Sequence, residues 1–218
     1  MAEFGAFLRF ACLCRGKLDS HAAIPHDESQ PREVRGVEAV ICFEMLFPDR
    51  APEQKVQQVA DAGFRAVEFW GWRDKDIPAL GRVCRKTGVR VANFSGHRVG
   101  SPVAAHTHEA FLGDLRDAVA AAKQLDCRRL MILSNELGEG GRVLDSFPAI
   151  PPGEQYENLL TAVRRALKEL PADFTLVLEP LNTKLDHPGY FLTDMQTAAR
   201  AVREVGDRRF KVLCDLYH

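Results

Sequence analysis

Phe174-Thr175-Leu176-Val177-Leu178-Glu179 and Phe210-Lys211-Val212-Leu213-Cys214-Asp215 are short apolar runs that each end in a carboxylate, with one helix-like stretch between them. Consecutive β–α–β units lay such runs side by side as parallel strands about 4.8 Å apart, which puts both acids at one rim of one sheet. That rim, at the C-terminal ends of parallel strands, is where α/β enzymes gather their reactive groups. Pro180-Leu181-Asn182 follows the first acid and Leu216-Tyr217-His218 follows the second.

Moving outward from this pair, the same alternation runs back through the chain. Val37 to Phe43, Arg65 to Phe69, Val89 to Phe94 and Arg128 to Leu133 read as four earlier strands, continuously apolar as strands covered on both faces should be. Helices are predicted from Pro52 to Ala62, Asp76 to Thr87, His106 to Leu125, Glu154 to Leu170 and Thr193 to Val205, with Gly63 and Gly88 ending the first two. Six β–α units with right-handed crossovers fit either an open doubly wound sheet or part of a (β/α)8 barrel. A nucleotide-binding doubly wound sheet places GxGxxG after its first strand, but here that position holds Glu44-Met45-Leu46-Phe47-Pro48. Polar residues stand instead after nearly every strand: Glu68, His97, Asn135, Glu179 and Asp215. A barrel builds its site from all of its strand ends. The expected fold class is therefore α/β, an incomplete (β/α)8 TIM barrel with about six β–α units, its last two strands missing.

Composition narrows the function. The chain has 218 residues, 46% of them apolar, and a formal net charge of -1. That balance gives no electrostatic footing for nucleic acid or an anionic membrane, and no apolar run reaches the roughly 20 residues that span a bilayer. The six cysteines are scattered without metal-knuckle spacing, as in a reduced cytoplasmic protein. Residues 1–36 read as an irregular N-terminal extension, with almost no apolar periodicity from Lys17 to Arg35. The segment 37–218 reads as the partial barrel domain. The linker from Ser134 to Gly153 is rich in Gly and Pro, as an active-site loop would be.

Five stretches, at these strand ends and in this order, carry a resemblance: Ala62-Gly63-Phe64-Arg65-Ala66-Val67-Glu68-Phe69-Trp70-Gly71-Trp72, Phe94-Ser95-Gly96-His97, Leu178-Glu179-Pro180-Leu181-Asn182, His187-Pro188-Gly189-Tyr190-Phe191-Leu192 and Asp215-Leu216-Tyr217-His218. From about Glu38 to His218 the chain resembles the hydroxypyruvate isomerase-like members of the xylose-isomerase-type TIM barrels. The resemblance implies a divalent metal, Mg²⁺ or Mn²⁺, held by one group from each of the last four barrel strands. Glu179 and Asp215 match the first two, and the other two belong to strands seven and eight. It also implies interconversion of hydroxypyruvate and tartronate semialdehyde through a metal-stabilised enediolate. Glu179 would then double as catalytic base or acid, and His97, Asn182 and His218 would bind substrate. Glu68 would hydrogen-bond a rim histidine such as His97 from behind. Hard carboxylate ligands suit such a cation, and the cation suits the charge that develops when a C–H proton is removed beside a carbonyl.

Each of these residues also has a plainer reading. Glu68 and Glu179 could be salt-bridged or satisfied by backbone donors, Asp215 could cap a helix, and Asn182 could staple its loop. Trp70 and Trp72 read as wedges for the loop after the second strand, and His106 and His108 as a solvated first turn. A ketose 3-epimerase or sugar isomerase would share the same scaffold and chemistry. An endonuclease relative would need more strand-end histidines and a basic face. A non-catalytic truncated barrel is the reading from another class. The expected partner is a small hydroxy-carbonyl compound, with no nucleic acid and no membrane, and open strand edges admit a homo-oligomer.

Overall fold

The structure is a computed structural model that describes residues 38–218, so the N-terminal extension lies outside the described residues. The elements follow one another as β1 (Ile41–Cys42), α1 (Pro52–Asp61), β2 (Ala66–Phe69), α2 (Ile77–Thr87), β3 (Arg90–Ser95), α3 (His108–Gln124), β4 (Arg129–Ile132), α4 (Pro152–Glu169), β5 (Thr175–Leu178), α5 (Met195–Val205) and β6 (Phe210–Val212). Local chemistry sets their ends. Pro52 opens α1, and the Asp76 and Asp194 carboxylates cap α2 and α5 by accepting from Ala79 and Thr197 N–H at 2.8 and 2.7 Å. Gly88 and Gly206, each with φ of 70°, close the same two helices in the left-handed region.

The strands pair in parallel in the order β1-β2-β3-β4-β5-β6. A doubly wound sheet reverses direction at a switch point, whereas this order never does, which is the signature of a barrel wall. Two strands fall well short of their predicted length. Phe43–Met45 turns into a 3₁₀ helix and cuts β1 to two residues. β6 leaves the ladder after Val212, because Pro180 has no N–H with which to extend the neighbouring β5 beyond Glu179. Asp215 therefore sits on a loop past the strand, not on it.

The register sorts side chains by face. Phe69, Phe94, Leu130, Leu176 and Phe210 align across five strands, all at 0–2% exposure beneath the helices. The Phe43, Phe69 and Phe94 rings stack with centroids 5.2 and 4.9 Å apart. Burying each such ring contributes roughly 1.5–3 kcal/mol. The opposite face aligns Ser95, Met131, Val177 and Lys211. Side chains alternate along a strand, so Glu179 continues the Val177 face into the barrel mouth. Cys84 and Cys127 are buried thiols pushed up to about 11 by desolvation, which keeps them protonated and inert. Among the described residues no helix is long and apolar enough to cross a membrane.

Candidate active site

Glu179 follows the last residue of β5 and is 2% exposed. Its own main chain fixes where the carboxylate stands. The Glu179 N–H donates to Ile132 O at 3.1 Å, and the Glu179 carbonyl accepts the Tyr190 hydroxyl at 2.9 Å. Tyr190 in turn accepts the Ser134 N–H at 2.8 Å. Burial holds this phenol above its ordinary value, so it stays protonated and able to donate. The strap from His187 to Leu192 is tied to the end of β4 at two more points. Phe191 N–H donates to Asn135 Oδ1 at 2.9 Å, and Leu192 N–H to Ser134 Oγ at 3.2 Å.

The loop after β6 folds back towards Glu179. The Tyr217 N–H donates to Asp215 Oδ1 at 2.9 Å, and the His218 N–H to the Asp215 carbonyl at 3.2 Å. The Asp215 and His218 side chains are only 3% and 4% exposed. One ligand atom from each of Glu179, Asp215 and His218 lies within 4.8 Å of the others. Two carboxylates so close and so buried repel each other, and a divalent cation relieves that repulsion through oxygen donors that suit it. The donor set fits Mg²⁺ or Mn²⁺, with Glu179 and Asp215 as the hard ligands.

Asn182 is bonded into its own loop. Its Oδ1 accepts from Leu185 and Asp186 N–H at 3.0 and 3.4 Å. Its Nδ2 lies 3.3 Å from Asp186 Oδ2 and 3.0 Å from His218 Nδ1. Both ends of the amide are occupied by protein groups.

His97 is also placed differently from its expected substrate role. Its ring packs edge-on against Phe111 of α3 at 4.8 Å, is 1% exposed, and accepts the Leu133 N–H on Nε2 at 3.0 Å. It braces the end of β4 from the helix side of the sheet. Glu68 lies on the inner face of β2 at 8% exposure, level with Cys42 and Asn93, where its charge acts on Arg129 across the interior. Trp70 is 40% exposed at the rim, while Trp72 packs against the core under the Arg73 guanidinium, 4.4 Å from its ring. His108 is buried and bonded through Nε2 to Pro102 O at 2.9 Å, which corrects its reading as a solvated first-turn residue.

The sequence reading missed Asp114 on α3. Its carboxylate receives the N–H groups of Arg98 and Val99 and the Arg73 guanidinium, and so pins the loop after β3. Burial pushes this acid up, but the Arg98 N–H and the Arg73 guanidinium outweigh that and hold it below the usual carboxylate value. Desolvation lowers His97 to about 4. The unfolded chain binds a proton on this histidine below about 6.5 while the folded chain refuses it, so stability falls as pH drops from there to about 4. The Asp114 contribution is lost at lower pH still, as its carboxylate is protonated. Urea melts of the wild type should show a midpoint falling steadily between pH 7 and 4.5, and His97→Gln should flatten the slope. An unchanged slope in that variant would remove His97 as the cause.

The fold and site define a (β/α) barrel protein with a carboxylate cluster at its C-terminal rim. Residues 56–218 match the family model described as Xylose isomerase-like TIM barrel, and the chain belongs to that family. It is 29% identical over 182 residues to a Homo sapiens protein named "Putative hydroxypyruvate isomerase", covering 79% of this chain and 64% of that protein. It is 25% identical over 181 residues to "Hydroxypyruvate isomerase" of Escherichia coli (strain K12), covering 80% of this chain and 67% of that protein. A crystal structure from Brucella melitensis described as "AP endonuclease, family 2" superposes with a TM-score of 0.69 at 26% identity, over 83% of this chain and 68% of that one. The chain thus spans about two thirds of the length of these relatives.

Proposed function

We propose that the full-length protein is an isomerase of small α-hydroxy-carbonyl acids, interconverting hydroxypyruvate and tartronate semialdehyde. The observation that carries this reading is the convergence of Glu179, Asp215 and His218 within 4.8 Å at the C-terminal rim. The relatives named hydroxypyruvate isomerase support the substrate class. A bound divalent cation would supply Lewis-acid stabilisation of the negative charge that develops on the substrate oxygens.

The chain's own residues do the rest. Glu179 and Asp215 would hold the cation, and the Glu179 carboxylate takes the proton from the hydroxymethyl carbon. That proton returns to the neighbouring carbon, while a hydroxyl proton passes to the former carbonyl oxygen. No electrons enter or leave. Tyr190 and Ser134 keep Glu179 in register through its carbonyl, and His218 faces the substrate oxygens.

Titration calorimetry of the full-length protein with MgCl₂ and MnCl₂, paired with an NMR assay of hydroxypyruvate, tests this. We expect one cation site and turnover that a chelator abolishes and added cation restores. Absence of binding by either cation would sink the proposal. Turnover at C3 of a ketose, with hydroxypyruvate left untouched, would replace it with an epimerase.

A further inference from the structure

We infer that the hairpin from Glu136 to Leu144 is a lid beside the carboxylate cluster, and that His187 is the positioning residue that clasps it shut. The base of the hairpin is built into the body of the protein. Leu137 and Val143 bridge in antiparallel fashion and pack against the core. The Gly138 and Leu144 N–H groups donate to Arg142 O and Glu136 O at 2.8 and 3.1 Å. The Glu136 carboxylate accepts the Gly100 N–H at 2.7 Å, and Asn135 Nδ2 donates to Asp145 O at 3.1 Å. The tip is held far less. Gly140 and Gly141 stand there in the left-handed region, with φ of 65° and 77°. Among the described residues, a single hydrogen bond ties residues 139–142 to anything outside the hairpin. It joins His187 Nδ1 to the Gly141 carbonyl at 2.7 Å. A carbonyl can only accept, so Nδ1 is the donor. A segment with a fixed base and a tip held by one bond opens at the tip first.

His187 stands between that tip and the site. Its N–H donates to Asn182 O at 3.2 Å and its carbonyl accepts the Tyr190 N–H at 3.0 Å, which fixes its backbone at the head of the strap that seats Glu179. Its ring centroid lies 5.4 Å from that of His218 and 6.5 Å from that of Tyr190. On the lid side the fit is close. A Cβ on Gly141 would lie 2.7 Å from His187 Cε1, and one on Gly189 would lie 3.2 Å from Ser146 Cβ. Glycine is what lets the tip come down this far. With the clasp made, one imidazole separates the tip from His218. With it broken, the two glycines let the tip swing away while the base stays in place. An open tip admits substrate, and a closed one retains it and keeps water out. His187 acts through the lid and gives no group to the reaction.

The substrate half of this inference rests on the isomerase reading, while the clasp does not. The deciding measurement is the rate at which trypsin cuts the full-length protein after Arg142, in the exposed tip, followed by mass spectrometry. His187→Ala removes the donor. His187→Asn keeps one, because the asparagine Nδ2 takes nearly the place of the imidazole Nδ1. We expect cleavage about 10-fold faster in His187→Ala and at the wild-type rate in His187→Asn. Gly141→Ala, which wedges the tip off an intact His187, should be cut as fast as His187→Ala. Equal rates in wild type and His187→Ala would overturn the inference. Turnover of hydroxypyruvate with Mg²⁺ supplies the second arm. His187→Ala should raise KM by about 10-fold with kcat within about 3-fold of wild type, and His187→Asn should restore KM. A fall in kcat at unchanged KM would place His187 in the chemistry and overturn the clasp. A wild-type protein without turnover would remove the isomerase reading and leave the cleavage rates to decide the clasp.

Discussion

Glu179→Gln should lower kcat on hydroxypyruvate by about 10³-fold or more while the protein stays folded. Glutamine has nearly the shape of glutamate, and two of the bonds that seat this residue come from its main chain. The Ile132 carbonyl receives its N–H, and Tyr190 donates to its carbonyl. Neither bond depends on the side-chain charge. What disappears is the base and one anionic cation ligand, so Mg²⁺ affinity should fall by at least about 10-fold. The cation-free protein should melt no lower than wild type, because the buried carboxylate that crowds Asp215 has been neutralised. Circular dichroism, calorimetric Mg²⁺ titration and a turnover assay on the same preparation check all three. Retained kcat with weakened Mg²⁺ binding would strip Glu179 of its base role and leave it a ligand alone.

The position of Glu179 was legible in the sequence for a definite physical reason. A continuously apolar run of five or six residues can be little else than a covered strand, and its terminal polar residue then has one place to go, the rim. Glu179 follows from that logic, and so does the sequential sheet order, whereas Asp215 reaches the rim from the loop past β6 and not as the end of its strand. Direction was not legible. His97 stands at a strand end exactly as a rim ligand would in sequence, yet its ring turns under α3 to Phe111. Gly96 permits either course, and a sequence carries no record of which one packs better. Asn182 was open to either of two readings, and only the backbone of Leu185 and Asp186 shows which way its amide faces. Tyr190, Ser134 and Asp114 act on partners 11 to 56 residues away, so no local pattern marks them.

Gly100→Ala should be the most damaging single methyl added to the loop after β3, costing about 3–5 kcal/mol of stability. Gly100 has φ of +79°, and a Cβ there would lie 2.5 Å from Phe111 N, with Phe111 Cα and Thr107 O both at 2.9 Å. All three are backbone atoms at the start of α3, so no side chain can rotate away. Gly140 provides the control. Its φ is +65°, but nothing lies within 4 Å of its missing Cβ, so alanine there bears only the left-handed backbone cost of roughly 1–2 kcal/mol. Thermal melts of the two variants separate steric clash from backbone preference, and Gly100→Ala should melt lower by several degrees. The damage should also reach the site. A shifted β3–α3 loop moves His97 off the Leu133 N–H, and the next residue, Ser134, is the one that anchors Tyr190 and through it Glu179. Mg²⁺ affinity should therefore fall in Gly100→Ala and hold in Gly140→Ala. If both variants melt together and bind Mg²⁺ alike, α3 does not press on this loop, and the brace from helix to carboxylate is not rigid enough to matter.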